Sequence, residues 1–276
     1  MSPNKGTSVI FLHIPKTAGT TLHRIIERQY PPETIVSFGP DAHQSIREFR
    51  AMSEEQRAQI AMLKGHMGFG LHEYLPNPAV YFTLVRDPIQ RVVSHYYHVL
   101  RDPNHYLFPY TENGRLGLAA FLETKVPVML DNGQTRLISG VWETVPFGAC
   151  DEEVLQVAKT NLDEHFVLVG LTERFDETLC VLQDALGWSK NISYVRKNVA
   201  RNRPSKDALS RETLHAVLDT NRLDVALYDY AKQLFQEQME QRGPALAVRL
   251  GLLKARNWLA APGDRGNAIM RRTGDR

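Results

Sequence analysis

The sequence predicts an α/β protein with a central, mainly parallel sheet and helices on both of its faces. Residues 8–14 and 79–85 are nearly continuous apolar runs, which is typical of strands that are buried on both faces. Each run is followed by a short turn and then by apolar residues at helical spacing. Strands that alternate with helices in this way form parallel sheets.

Two strand–turn–helix units can be located. The first strand, residues 8–14, ends at a proline, and a loop of small and polar residues leads into a helix predicted over residues 20–28. The second strand, residues 79–85, is followed by Asp87 and Pro88, and aspartate at an N-cap with proline at the first helical position favours a helix start. Both turns therefore follow the carboxyl ends of strands, where α/β folds bind their ligands.

Further periodic segments complete the predicted fold. A third buried strand is expected at residues 166–171. Helices are expected near residues 43–63, 116–140, 151–163, 175–186 and 210–238. Residues 64–70 are glycine-rich, and residues 189–209 are polar and irregular.

The composition is that of a globular protein with a full hydrophobic core. The 276 residues, 43% hydrophobic and 23% charged, exclude the disordered and membrane-embedded classes. The 33 basic and 31 acidic residues leave a formal net charge of +2, which argues against binding of nucleic acid by bulk electrostatics. Any anion site must therefore be local.

The charge is unevenly distributed along the chain. Residues 244–276 contain seven basic and two acidic side chains, which separates a basic C-terminal helix and disordered tail from a main domain, residues 1–243. Residues 245–260 form either a basic amphipathic helix lying on an anionic membrane, with Trp258 at the interface, or a terminal helix packed on the domain or on a partner subunit. The oligomeric state is left open.

Cysteine usage and the N-terminus bear on the compartment. Cys150 and Cys180 are too few for a disulfide framework, and residues 1–7 contain no apolar core of a secretory signal. We expect a cytoplasmic protein, which would lie at the inner membrane surface if the C-terminal helix binds lipid.

The first turn, residues 15–21, has the parts of an anion cradle. Small residues let backbone N–H groups approach an anion, the following helix directs its positive end at it, and Lys16 adds a mobile charge. Three hydroxyls are further donors: Thr17, Thr20 and Thr21. The lysine precedes the glycine, so this is not a Walker A motif and a magnesium-bound triphosphate is not predicted. The alternative is an ordinary strand-to-helix turn with a surface lysine.

The second turn places Arg86 at the end of a strand and Ser94 inside the next helix. Arg86 could bind a phosphate through two parallel hydrogen bonds, and Ser94 could donate to it from the helix. Alternatively, Arg86 pairs with Asp87 or with a helix C-terminus, and Ser94 is a small packing residue.

Together, residues 15–21 and 85–97 resemble the two donor-binding motifs of Golgi-type carbohydrate sulfotransferases, in particular the heparan sulfate 2-O-sulfotransferase-like group. Gly65 and His66, followed by Phe69 and Gly70, resemble the catalytic histidine segment of that group. Three later segments also resemble family segments and come in the expected order: residues 132–136, 161–173 and 195–198. The resemblance covers roughly residues 8–236.

The resemblance implies a P-loop NTPase-like three-layer sandwich, related to nucleotide kinases, that binds 3'-phosphoadenosine 5'-phosphosulfate (PAPS). The 5'-phosphosulfate would be held by the first loop: Lys16, Thr17, Ala18, Gly19, Thr20 and Thr21. Arg86 and Ser94 would hold the 3'-phosphate. A loop that closes over the nucleotide aligns loosely with residues that include Arg196, Lys197 and Arg201.

The same resemblance implies that His66 is the general base. A neutral imidazole, with an ordinary pKa of about 6.5, can accept the proton of an acceptor hydroxyl as the oxygen attacks sulfur. Lys16 would neutralise the charge that grows on the bridging oxygen of the donor. The animal enzymes have a second histidine two residues before the base, where this chain has Lys64, so a supporting role for a second histidine is in doubt.

Other polar residues have two interpretations at this stage. Gln134 and Arg136 could contact an anionic acceptor or the nucleotide, or Arg136 could form a structural ion pair. No metal is predicted, because no carboxylate or cysteine completes the partial ligand spacing of three histidines: His95, His98 and His105.

The predicted function is transfer of a sulfonate group from PAPS to a hydroxyl of a saccharide or glycoconjugate. Two alternatives are a kinase-like phosphotransferase, which should carry a Walker lysine and magnesium carboxylates, and a non-catalytic nucleotide-binding module, which would have no use for His66.

Overall fold

The computed structural model describes residues 6–39, 41–142, 144–195 and 208–260. These residues contain one five-stranded sheet, in which every strand pair is parallel and the strand order is β2-β3-β1-β4-β5. Its strands are β1 Ser8–Leu12, β2 Ile35–Phe38, β3 Met62–Gly65, β4 Ala79–Val85 and β5 Phe166–Leu171. The parallel α/β architecture predicted from the sequence is confirmed.

Helices connect the strands and cover the sheet. Over the described residues they are α1 Gly19–Gln29, α2 Ala42–Ala51, α3 Glu54–Ala58, α4 Pro88–Arg101, α5 Leu118–Glu123, α6 Gly133–Ser139, α7 Glu152–His165, α8 Phe175–Ala185, α9 Arg211–Thr220 and α10 Arg222–Ala260. The whole of β1 is buried, as its continuous apolar sequence predicts for a central strand. The fold is a three-layer α/β sandwich with a parallel central sheet.

The structure corrects the sequence interpretation at three places. β3 is a strand where the end of a helix and the start of a glycine-rich segment were expected, and β2 is a strand to which the sequence interpretation gave no element. The helix predicted over residues 116–140 is two short helices, α5 and α6. The helix predicted over residues 210–238 is divided at Asn221, whose buried side-chain amide donates to the carbonyl oxygen of Leu130 (2.7 Å) instead of facing solvent.

A buried polar network fixes α6 against the start of α10. The carboxylate of Asp224 accepts the backbone N–H groups of Gln134 (3.2 Å) and Thr135 (2.8 Å), and so caps α6. In return, the side-chain oxygen of Asn132 accepts the backbone N–H of Asp224 (3.2 Å). Arg91 pairs with Asp224 at 3.5 Å, and both side chains are fully buried. Asp224 thus compensates both the charge of Arg91 and the N-terminus of α6, each of which would be costly to bury alone.

The last part of α10 packs on the main domain. The helix is interrupted at Gly243 (φ 56°, ψ −153°), next to the proposed domain boundary, which itself stays a prediction. Leu246 and Leu253 then join the core beneath the sheet, and Arg249 pairs with Asp184 of α8. The opposite side carries exposed apolar residues: Val248, Leu252, Trp258 and Leu259.

Candidate active site

The predicted site residues converge at the carboxyl edge of three adjacent strands. Leu12 of β1 lies in register with Gly65 of β3 on one side and with Thr83 of β4 on the other. The residues that follow these strands therefore lie side by side. They are the loop with Lys16 after β1, His66 after β3 and Arg86 after β4.

The β1–α1 loop has the geometry of an anion cradle. Lys16 (φ 74°) and Ala18 (φ 66°) both have left-handed backbone, which costs a non-glycine residue about 1 kcal/mol and tends to occur at functional sites. Ala18 is the N-cap of α1 and has no side-chain oxygen to cap it, whereas Asp87 caps α4 and Asp151 caps α7. The N–H of Thr21 donates to the carbonyl oxygen of Ala18 (3.2 Å). No side chain caps the N–H groups of Gly19 and Thr20, and an anion suits such groups.

The individual threonines of the loop differ in what they can offer. The hydroxyl of Thr17 is buried and donates to the carbonyl oxygen of Ile14 (2.7 Å), so Thr17 can contribute to an anion site only through its backbone N–H. Thr20 is exposed and Thr21 half-buried in the first turn of α1.

Arg86 joins the second motif to this loop. Its guanidinium donates to the carbonyl oxygen of Lys16 (3.1 Å) and to Oε1 of Gln90 (3.3 Å). Arg86 is buried, with 7% of its surface exposed. Ser94 lies one helical turn beyond Gln90 on the same face of α4 and is equally buried. The structure therefore brings Lys16, Arg86 and Ser94 to one region, as the resemblance implies.

Gln134 is fully buried and positions the backbone of Arg86. Its side-chain amide accepts the backbone N–H of Arg86 (2.9 Å) and donates to the backbone carbonyl oxygen of the same residue (3.0 Å). Arg136 is fully buried, pairs with Asp131 and donates to the carbonyl oxygen of Pro146 (2.8 Å). Of the two interpretations left open for Arg136, the structural ion pair is confirmed.

The hydrogen bond made by His66 fixes its tautomer. Nδ1 lies 3.2 Å from the backbone carbonyl oxygen of His13, and because a carbonyl only accepts, Nδ1 carries the proton. Nε2 then holds the lone pair that a general base needs. Burial lowers the pKa of His66 below its ordinary value, an effect that the hydrogen bond opposes and the nearby charge of Lys16 reinforces. The imidazole is therefore neutral at neutral pH.

Two further histidines lie close to His66, and sequence reasoning gave them no role. The ring of His13 stacks on that of His66 with centroids 4.5 Å apart, and its Nδ1 lies 3.1 Å from Nε2 of His23. Burial keeps the pKa of His13 well below its ordinary value and lowers that of His23 to about 4. The one available signal was the position of His13 directly after a buried strand; His23 comes from the second turn of α1.

Lys64 is a buried structural cation. It is 4% exposed, and its Nζ lies 2.5 Å from Oε1 of the half-exposed Glu27, so the pair ties β3 to α1. The residue that replaces a second histidine two positions before His66 is thus already engaged in an ion pair.

The remaining predicted residues fall outside this cluster. Arg196, Lys197 and Arg201 lie outside the described residues. In the part of the chain that the structure describes, no group of three His, Cys, Asp or Glu side chains is arranged to hold a metal ion. His95, His98 and His105 lie near one another, and burial lowers the pKa of each.

Among the described residues, no helix is long and apolar enough to span a bilayer.

Comparison with known proteins identifies the family. A family model described as galactose-3-O-sulfotransferase matches residues 2–259. The chain belongs to this family. The resemblance to carbohydrate sulfotransferases noted from the two motifs is thereby confirmed.

Individual relatives include enzymes named for several saccharides. The chain is 24% identical to heparan sulfate 2-O-sulfotransferase hst-2 of Caenorhabditis elegans, over 84% of this chain and 79% of the relative. It is 24% identical to galactose-3-O-sulfotransferase 2 of Homo sapiens, over 86% and 63% of the two chains. For galactosylceramide sulfotransferase of Mus musculus the identity is 26%, over 85% and 58%. The chain thus spans about three fifths of the two galactose-directed relatives.

Among solved structures, mouse sulfotransferase SULT7A1 complexed with PAP superposes with a TM-score of 0.37 and 16% identity. The match covers 69% of this chain and 62% of the mouse chain.

Proposed function

We propose that this sulfotransferase transfers a sulfonate group from PAPS to a hydroxyl of a saccharide or glycoconjugate, with His66 as the general base. The observation that carries the proposal is the fixed tautomer of His66. Its Nε2 is available as a base, and its strand lies directly beside the strand that leads into the cationic loop. Family membership supports the sulfonate chemistry, and the names of the relatives support a saccharide acceptor.

The reaction is an in-line displacement at sulfur. The acceptor oxygen forms a bond to sulfur while its proton passes to Nε2 of His66, and the bond between sulfur and the bridging phosphate oxygen breaks. The products are a sulfate ester and adenosine 3',5'-bisphosphate. Lys16 supplies positive charge where negative charge grows on the leaving oxygen.

The donor is held from two sides. The uncapped N-terminus of α1 and its preceding loop suit the 5'-phosphosulfate, and the donating residues are those assigned from the resemblance: Lys16, Thr17, Ala18, Gly19, Thr20 and Thr21. Arg86 and Ser94 hold the 3'-phosphate. Arg86 is preset for this task because Gln134 fixes its backbone and Gln90 contacts its guanidinium.

The test replaces His66 by alanine and separates binding from turnover. We expect His66→Ala to bind adenosine 3',5'-bisphosphate with a dissociation constant close to that of the wild type, because the side chain does not belong to the donor cradle. Sulfate transfer should fall by about 10²–10⁴-fold, the usual contribution of a general base. His215→Ala, an exposed histidine on α9, is the matched control. Turnover within a few fold of the wild type would remove His66 from the mechanism.

The two alternative functions predict different ligand responses. A kinase-like phosphotransferase should be stabilised by ATP with magnesium, whereas the proposed enzyme should be stabilised by adenosine 3',5'-bisphosphate without any metal. A ligand at about 100 times its dissociation constant adds about 2.7 kcal/mol to the free energy of unfolding, which a thermal-shift assay detects. A non-catalytic module would bind the same nucleotide and show no sulfate transfer.

The exposed side of the C-terminal helix supports a second, smaller proposal, that of peripheral membrane contact through residues 245–260. Trp258 is 70% exposed and Val248 65% exposed, and Lys254 and Arg256 on the same segment would face anionic headgroups. The test is co-sedimentation with lipid vesicles: the wild type should bind anionic but not neutral vesicles, and Trp258→Ser should lose this binding.

A cytoplasmic location stays a prediction, which fractionation of the producing cell can check.

A further inference from the structure

The imidazole of His66 lies at the end of a column of stacked rings. Phe82 of β4 stacks on Phe11 of β1 with ring centroids 4.9 Å apart, and both side chains are fully buried. Phe11 stacks at 5.4 Å on His13, which is two residues along the chain and so on the same face. His13 in turn stacks on His66 at 4.5 Å. The ring that contacts the base is therefore supported from the core of the sheet.

Both ring nitrogens of His13 are directed at α1. Nδ1 lies 3.1 Å from Nε2 of His23, in the second turn of the helix. Nε2 lies beside Gly19, where an added Cβ would be 1.8 Å from it. The planes of the His13 and His66 rings differ by only 24°. His13 thus presents a ring face, and not a nitrogen, to His66.

His13 stays uncharged at the pH at which His66 acts. Burial keeps the pKa of His13 well below its ordinary value, and charge on His66 or His23 would lower it further, as the positive charges of Lys16 and Lys64 do. When His66 takes up a proton, the ring stacked on it is therefore a neutral aromatic face.

His23 holds this ring in place and is neutral as well. Burial lowers the pKa of His23 to about 4, an effect that the charge of Lys64 reinforces and that of Glu27 opposes. Two neutral imidazoles share a hydrogen bond in which one nitrogen donates and the other accepts. This bond fixes the rotation of the His13 ring about its Cβ–Cγ bond.

We propose that His13 is a positioning residue for the base: its neutral ring, held by His23, stacks against the imidazolium that forms when His66 takes the proton of the acceptor hydroxyl. An aromatic face attracts a cation within about 6 Å of its centroid, so the stack is stronger after proton uptake than before. A contact that strengthens as the reaction proceeds lowers the barrier. This inference rests on the proposed function and adds two residues to it.

The experiment replaces the ring of His13 in two ways. His13→Leu removes the aromatic face but keeps the backbone carbonyl that binds His66. Replacement by 4-thiazolylalanine keeps a five-membered aromatic ring with a nitrogen at the Nδ1 position, but this nitrogen is too weakly basic to carry a proton at neutral pH. His23→Gln retains a partner for Nδ1 and His23→Leu removes it. His215→Leu, at an exposed position of α9, is the matched control.

NMR titration of the His66 imidazole, whose signal is identified by its loss in His66→Ala, gives a readout without turnover. Because the stack stabilises the imidazolium, its removal in His13→Leu should lower the pKa of His66 by about 0.5–1 unit. The thiazolylalanine variant should keep the wild-type pKa. The acidic limb of kcat/KM should move to lower pH together with this pKa, which mere displacement of the base would not cause.

Turnover is measured with lactose and with a heparan oligosaccharide. For whichever of the two the wild type sulfates, His13→Leu should lower kcat about tenfold. The dissociation constant of adenosine 3',5'-bisphosphate should stay within about twofold, which also shows that the variant folds. Thiazolylalanine should restore most of kcat, and so should His23→Gln relative to His23→Leu.

Three results would overturn the proposal. A wild-type pKa of His66 and a wild-type kcat in His13→Leu would show that the stack does not assist the base. A thiazolylalanine variant as slow as His13→Leu would show that His13 itself transfers a proton. Nucleotide binding that weakens in step with kcat would assign the ring to the donor site. A wild type that binds the nucleotide but sulfates neither saccharide would instead count against the proposed function, and the titration would still test the stack.

Discussion

Replacement of Gly19 by alanine tests how closely the donor loop and the histidine cluster are packed together. An added Cβ at Gly19 would lie 1.8 Å from Nε2, 2.2 Å from Cε1 and 2.5 Å from Cδ2 of His13. The imidazole must therefore move by about 1.5 Å to reach ordinary van der Waals contact. It cannot move freely, because it stacks between Phe11 and His66 and contacts His23.

The expected cost follows from this geometry. Inserting a methyl group into a well-packed site destabilises proteins by about 1–3 kcal/mol, which for a chain of this size lowers Tm by about 2 °C for each kcal/mol. A displacement of His13 also moves the ring stacked on it, and misplacement of a catalytic group by about 1 Å can cost 10²-fold in rate. We expect Gly19→Ala to lose both stability and turnover, although alanine is the better helix former.

A double-mutant cycle decides whether the ring of His13 is the cause. His13→Ala removes the obstacle, so Gly19→Ala should cost little stability in that background. Gly251→Ala, at a helical position with no described atom within 4 Å of the added Cβ, is the matched control. Thermal melts and sulfate-transfer rates of the four proteins give the coupling. Equal losses with and without the His13 ring would refute the packing argument.

Three further predictions concern the base, the donor site and the core. Because the pKa of His66 lies below its ordinary value, kcat/KM should stay level near pH 7–8 and fall as pH drops through an inflection below about 6.5, a limb that titration of activity would show. Arg86→Ala should weaken binding of adenosine 3',5'-bisphosphate, measured by calorimetry, far more than binding of AMP; equal losses would reject the 3'-phosphate assignment. Asp224→Ala should reduce the free energy of unfolding by about 3–5 kcal/mol, because Arg91 keeps a buried charge without its partner; a denaturant midpoint near that of the wild type would contradict this.

The elements that the sequence predicted well are those specified by local patterns. β4 has the predicted bounds, residues 79–85, and α4 begins at Pro88 with Asp87 accepting the N–H of Gln90 (2.9 Å) at its N-terminus. An apolar run and a capping residue act within a few positions of the chain, so their effects can be recognised without knowledge of distant contacts.

The elements that were missed depend on distant partners. β3 is only four residues long and contains Lys64, which breaks an apolar pattern and is buried there because Glu27 of α1 compensates its charge. The division between α9 and α10 depends on a carbonyl oxygen of Leu130, 91 residues away in the chain. Periodicity carries no information about such pairs.

For the functional site, the sequence by itself provided the two candidate donor motifs and, through the family resemblance, the candidate base, since each is a short run of neighbouring residues. Only the tertiary structure decided how they act together: parallel register places the three strand ends side by side, the His13 carbonyl selects the tautomer of His66, and Gln134 fixes Arg86. The physical reason is that hydrogen bonds and packing join residues by distance in space. That distance is set by the folded sheet, and spacing along the chain does not reveal it.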